Sequence, residues 1–169
     1  DEDENTFIYK SPGQFAKAEP YLRQAVKTLT ERNPNPYDGE PLYNLGLSLK
    51  YQGKTEEAYG FFYKACWNAA WQDAGYYSLA QLSVARGDWE EALYEIDKSL
   101  VRNWHNLRGR HLKATILRHL GRKEDALSLI EESLRMDRFN FGCGFEKFLL
   151  TGNDADWQTL RSEEHTSEL

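Results

Sequence analysis

The chain has 169 residues, of which 40% are apolar and 28% charged, and it carries a net charge of −6. That length supports one domain with a substantial core. The two cysteines are too few for a disulfide framework, and the acidic balance argues against a nucleic-acid partner. No apolar run reaches membrane-spanning length and no signal peptide precedes the patterned region, which argues against a membrane role and favours a cytoplasmic setting.

Residues 1–12 read as an acidic lead-in. The opening Asp1-Glu2-Asp3-Glu4 lacks a methionine, as a piece cut from a longer protein would. From Gly13 a helical pattern runs through Phe15, Ala18, Tyr21, Leu22, Ala25, Val26 and Leu29. Pro20 falls inside it, at the first turn of a shorter helix or at a kink. The segment 13–38 closes with Asn33-Pro34-Asn35-Pro36, a run of turn residues.

The stretch 39–140 repeats itself. Gly53-Lys54-Thr55-Glu56-Glu57-Ala58 is followed 34 residues later by Gly87-Asp88-Trp89-Glu90-Glu91-Ala92, and 34 later again by Gly121-Arg122-Lys123-Glu124-Asp125-Ala126. A fixed period of this size marks a stacked-repeat architecture. Ahead of each glycine lies one amphipathic stretch (Leu42, Leu45, Leu49 in the first copy). Behind it lies another (Ala58, Tyr59, Phe62, Ala65, Cys66). The glycine suits a positive φ at the end of the first helix, and the acidic residues after it suit the start of the second. Each unit is thus a helical hairpin that needs neighbours to bury its apolar face.

After Asn140 the register weakens. The segment 141–161 reads as a partial unit, with a helix through Phe141, Phe145, Phe148, Leu149 and Leu150 ended by Gly152. A brief helix capped by Asn153-Asp154 follows and carries Trp157 and Leu160. Residues 162–169 are a polar tail.

These units resemble the tetratricopeptide repeat. Leu42, Leu45, Gly46, Gly53, Ala58, Phe62 and Ala65 match the family pattern in the first unit. Leu79, Ala80, Gly87, Trp89, Ala92 and Ile96 match in the second, and Ala114, Gly121, Ala126 and Ile130 in the third. Arg110 and Lys113 depart from it, standing where the family packs apolar side chains, so the third first-helix is expected to sit rotated or loose. The family's late proline is replaced by Ala70, Trp104 and Arg138. The resemblance implies an all-α fold, a right-handed superhelix of antiparallel helix pairs, with six helices in the full units and flanking helices at each end.

It also implies a function: a non-catalytic scaffold that holds a protein or peptide against its first helices, with no cofactor. The alternative is a docking arm of a larger, carbohydrate-associated bacterial enzyme whose catalytic domain lies elsewhere. The inward-facing positions of the family map onto Tyr43, Leu47, Lys50, Tyr77, Gln81, Val84, Arg108, His111, Thr115 and Arg118. Between His105 and Lys123 the chain carries Arg108, Arg110, Lys113, Arg118, Arg122 and Lys123 with no Asp or Glu. An acidic or carboxylate-bearing partner segment is therefore expected, with Tyr43 and Tyr77 as platforms and Arg108 and Arg118 as charge partners. The family's clamp for chaperone tails is not expected to work, since Tyr43, Leu47, Ser78, Arg108 and Leu112 hold its positions and only Arg108 suits it. His111 and His119 lie two turns apart on one predicted helix, but no carboxylate or cysteine at ligand spacing joins them into a metal site. Neither a phosphate-binding loop nor a nucleophile motif occurs.

Overall fold

The computed structural model describes residues 12–31, 33–34, 36, 38–155 and 158. These residues form eight α-helices and one short 3₁₀ turn, with no strand among them. Residues 1–11 of the acidic lead-in, Trp157 and Leu160 of the brief helix expected after Asn153-Asp154, and the polar tail lie outside the described residues; Pro12 opens α1, and Asp154, Ala155 and Gln158 are helical. The chain divides into two compact units, one ending at Leu82 and the other beginning at Ser83.

The first unit holds α1 (Pro12–Thr30), α2 (Glu40–Tyr51), α3 (Thr55–Ala65) and most of α4 (Gln72–Arg86), which follows a 3₁₀ turn at Ala69–Trp71. Its core joins Leu45 and Leu49 of α2 to Ala58 and Phe62 of α3, with Cys66, Leu79 and Leu82. Burial of each such Leu or Phe contributes about 1.5–3 kcal/mol. Gly46 is needed here: a Cβ on it would lie 2.8 Å from the Phe62 ring, so that ring of α3 rests directly on the α2 backbone. Pro20 neither shortens nor splits α1. Its missing N–H leaves the Ala16 carbonyl without a helical donor, and both residues are exposed, so water can serve that carbonyl. Three ties fasten α1 down. The Ser48 hydroxyl donates to the Phe15 carbonyl at 2.8 Å, Phe15 stacks on Tyr51 with centroids 4.6 Å apart, and the Glu19 carboxylate accepts from Lys54 at 2.7 Å and Arg23 at 2.8 Å.

The second unit holds the end of α4 with α5 (Trp89–Arg102), α6 (Leu107–His119), α7 (Lys123–Met136) and α8 (Phe141–Thr151). Ile96, Leu100, Ala114, Ile116, Ala126, Ile130 and Cys143 are among its most buried apolar residues. Arg110 does not loosen α6, contrary to the sequence expectation. Its side chain is wholly buried. Nε donates to the Ser133 hydroxyl at 2.8 Å, one terminal nitrogen to the Glu132 carboxylate at 2.7 Å and the other to the Trp104 carbonyl at 3.4 Å. The guanidinium lies 4.4 Å from the centroid of Trp104, so an arginine fills the apolar position by carrying its own partners inward.

The three register glycines build one joint three times. Gly53, Gly87 and Gly121 have φ of 78°, 80° and 73°. At each, the glycine N–H reaches back to the carbonyl of residue i−3 (Lys50, Val84, Arg118). The next N–H reaches that of Leu49, Ser83 or Leu117, at 2.9–3.0 Å throughout. This paired closure satisfies carbonyls that a helix end otherwise leaves open, and it requires the left-handed glycine. The residue after the glycine caps the next helix without a side-chain hydrogen bond. A second register signal caps the first helices: Asn106 accepts from the N–H of Gly109, and Asn140 from that of Cys143, each at 3.1 Å.

Candidate interaction surfaces on the first helices

In the first unit the predicted positions form one stripe. Tyr43, Leu47 and Lys50 follow each other at helical spacing on α2, and Tyr77 and Gln81 do so on α4. All five are half-buried. The Tyr43 ring leans on Phe62 and Trp71, with centroids 5.5 and 5.0 Å away, which holds it rigid. Lys50 Nζ donates to the Gln81 amide oxygen at 2.5 Å, so the α2 and α4 stripes meet there. Burial pushes the Lys50 ammonium below its usual pKa, because its charge is partly stripped of water. Ser78, one of the chaperone-clamp positions, is buried and offers nothing to a partner.

In the second unit Val84 of α4 is half-buried, and the rest of the predicted set lies on α6. Arg108 is exposed and has no ion-pair partner among the described residues. The His111 ring lies against α8, so close that a Cβ on Gly142 would fall 2.5 Å from its Nδ1. Thr115 and Arg118 converge on Glu146 of α8: the hydroxyl donates at 2.9 Å and the arginine Nε at 2.6 Å. Glu146 is only 4% exposed, so Arg118 already spends its charge inside the molecule. The sequence offered little sign of this. Glu146 sits beside Lys147 in an otherwise apolar helix, 28 residues beyond Arg118.

The basic run of α6 is largely dispersed in the same way. Arg110 pairs with Glu132, Lys113 with Asp97 at 2.7 Å, and Arg122 approaches Glu90 at 3.5 Å. His119 turns away from His111 and stacks on Trp89, with centroids 3.9 Å apart and rings within 4° of parallel. His105 is exposed and His165 lies outside the described residues. Among the described residues no three His, Cys, Asp or Glu side chains are grouped to hold a metal ion. Cys66 and Cys143 are buried and form no disulfide with each other, and burial pushes the Cys143 thiol up, away from the reactive thiolate.

No family model matches the chain. Its fold is similar to several solved structures. A double mutant of MamA from Desulfovibrio magneticus RS-1 superposes with a TM-score of 0.75 at 16% identity, over 92% of this chain and 88% of that one. YrrB, described as a TPR protein with an unusual peptide-binding site, gives 0.67 at 20% identity over 86% and 72%. A Podosopora anserina putative kinesin light chain with nearly identical TPR-like repeats gives 0.70 at 18% identity over 91% and 86%. With paired helices closed by the same glycine joint at each period, and these structures as its neighbours, the chain has an all-α tetratricopeptide-type repeat fold.

Proposed function

We propose that the chain is a non-catalytic interaction scaffold, and that the α2–α4 stripe of its first unit takes an extended partner segment bearing a carboxylate. Lys50 carries this reading. It is a half-buried cation held by a neutral amide, and no carboxylate among the described residues reaches it. A partner carboxylate at Nζ supplies the missing counter-charge where water screens it less than at an open surface. Tyr43 and Tyr77 offer ring surface at low entropic cost, Leu47 an apolar step, and Gln81 a further amide. On the second unit the corresponding charge is Arg108, because Arg118 is committed to Glu146. The likeness to YrrB, whose description names a peptide-binding site, supports an interaction role.

The test starts from a partner captured from a lysate of the source, with binding then measured by calorimetry on a peptide spanning its contact. Lys50→Met should weaken binding about tenfold, equivalent to about 1.4 kcal/mol, while Lys50→Arg retains most of it. Arg118→Met should leave the affinity unchanged. Equal binding by Lys50→Met and the parent chain at moderate salt would refute the proposal.

A further inference from the structure

The second unit carries a cavity of about 320 Å³ that the repeat pattern alone does not build. It lies among α5, α6 and α7, and its wall includes Trp104, Lys113 and Ser128. One period earlier those positions hold Ala70, Leu79 and Tyr94, so large and small side chains trade places between the copies. Trp104 and Lys113, together with Arg110, are also departures from the family pattern that the first-helix stripe leaves unused. Here they act together. The Arg110 guanidinium lies 4.4 Å from the Trp104 ring centroid and donates to Glu132, another residue of the wall. Hydrogen bonds from Arg110 and, more weakly, from the Trp104 side chain hold the Glu132 carboxyl below its usual range. The indole is thus fixed by two neighbours and is still 43% exposed.

The charges of the wall select the ligand. Asp97, Asp125 and Glu132 share one small space with Lys113 and Arg122. Lys113 is already tied to Asp97 at 2.7 Å, and Arg122 approaches Glu90 at 3.5 Å. An anion would have to displace Asp97 and meet two further carboxylates, while a cation would meet Lys113 and Arg122. A neutral ligand rich in hydroxyls avoids both penalties, because a hydroxyl donates to a carboxylate and accepts from an ammonium or guanidinium. Groups are open to receive it: among the described residues the Asp125 carboxylate and the Ser128 hydroxyl have no hydrogen-bond or ion-pair partner. Trp104 adds a flat apolar surface of the kind on which the C–H face of a sugar ring packs.

The length of the site follows from the helix that lines it. Asp125, Ser128 and Glu132 succeed each other at offsets of three and four on α7, spanning about 10 Å along its axis. Trp104 stands at the Glu132 end, and the free carboxylate of Asp125 stands at the other. The geometry points to a binding site for an uncharged glycan two rings long, one ring against Trp104 and the next within reach of Ser128 and Asp125. A volume of about 320 Å³ falls within the range of small-molecule sites, about 300–1,000 Å³. The site shares no residue with the α2–α4 stripe, so the two are tested separately.

Saturation-transfer difference spectra of the intact chain test this, with maltose, cellobiose, lactose and N,N′-diacetylchitobiose as probes. At least one should bind, with a dissociation constant of about 1 mM or lower. Deacetylated chitobiose, which is cationic, and the hyaluronan disaccharide, which is anionic, should bind about tenfold more weakly than that probe. Ser128→Tyr restores the side chain of the preceding period and should abolish binding, and Asp125→Ala should weaken it about tenfold. Both positions are exposed, so the circular dichroism spectrum should not change. Lys50→Met should leave the affinity as it is. Silence from all four neutral probes, tighter binding of either charged disaccharide, or binding that survives Ser128→Tyr overturns the proposal. Should Ser128→Tyr fail to fold, Asp125→Ala decides, and an unchanged affinity there overturns it as well.

Discussion

Replacing Arg110 separates what its charge contributes from what its volume contributes. The side chain is 0% exposed, so Arg110→Ala opens a cavity the size of nearly the whole residue. Truncations of this kind in cores cost about 2–5 kcal/mol. Arg110→Met keeps most of the volume and removes the guanidinium, and the groups left behind are well placed to bear it. Ser133 still donates to the Leu129 carbonyl at 2.7 Å, the Glu132 side chain is 44% exposed and rehydrates, and the bond to the Trp104 carbonyl was long at 3.4 Å. The lost charge-assisted bond to Ser133, about 1.5–3 kcal/mol, is offset by a desolvation cost of several kcal/mol that methionine never incurs. The net change for Arg110→Met should lie within about 1 kcal/mol of zero, a shift of at most about 4 °C in melting temperature for a chain of this size. Urea titrations followed by far-UV circular dichroism on the two variants and the parent give both values. If methionine costs as much as alanine, the guanidinium's bonds hold the α6–α7 corner and the volume argument is wrong.

Gly87→Ala should cost about 1–2 kcal/mol although nothing lies within 4 Å of the new Cβ, because φ is +80°. Gly46→Ala, in a helix, should gain in propensity yet lose overall through the Phe62 ring, and crystal structures should show that ring displaced. Hydrogen bonds from Lys54, Arg23 and then Gln52 hold the Glu19 carboxyl down to about 2 from 4.5. A depressed carboxylate stabilises fully above its unfolded pKa, so this contribution should fade as pH falls from about 4.5 towards about 2. The acid unfolding curve of Glu19→Gln should be flatter in that window, and identical curves would show that the cluster adds nothing.

The hairpins, their glycine joints and the buried Ala58, Ala92 and Ala126 were legible because they rest on local geometry that recurs every 34 residues. The same local logic extends one step further than the glycines suggested. Asn106 and Asn140 share the period and the cap, so α8 is a first helix in register even though its apolar pattern is its own. What stayed hidden depends on which chain segments meet. The basic residues of α6 read as one positive face. In the fold Lys113 meets a carboxylate from α5, Arg110 one from α7 and Arg118 one from α8, and Arg110 turns inward altogether. Lys50, by contrast, looked unremarkable beside those arginines. It stands out only once Gln81, rather than a carboxylate, is seen to meet it.

The glycine joint bears on how this chain tolerates change. At all three joints the residue after the glycine has φ of −83° and ψ between 61° and 70°, whether it is Lys54, Asp88 or Arg122. Backbone atoms alone close the joint, so the side chain there is left to drift, and three unlike residues occupy it. The same indifference makes each joint a seam. A crossover between two of these joints, adding or removing one whole period, leaves the dihedral angles on either side of the splice as they were. Chains of different repeat number can arise in this way without a strained intermediate, and the length of such an array is then set by what it must reach.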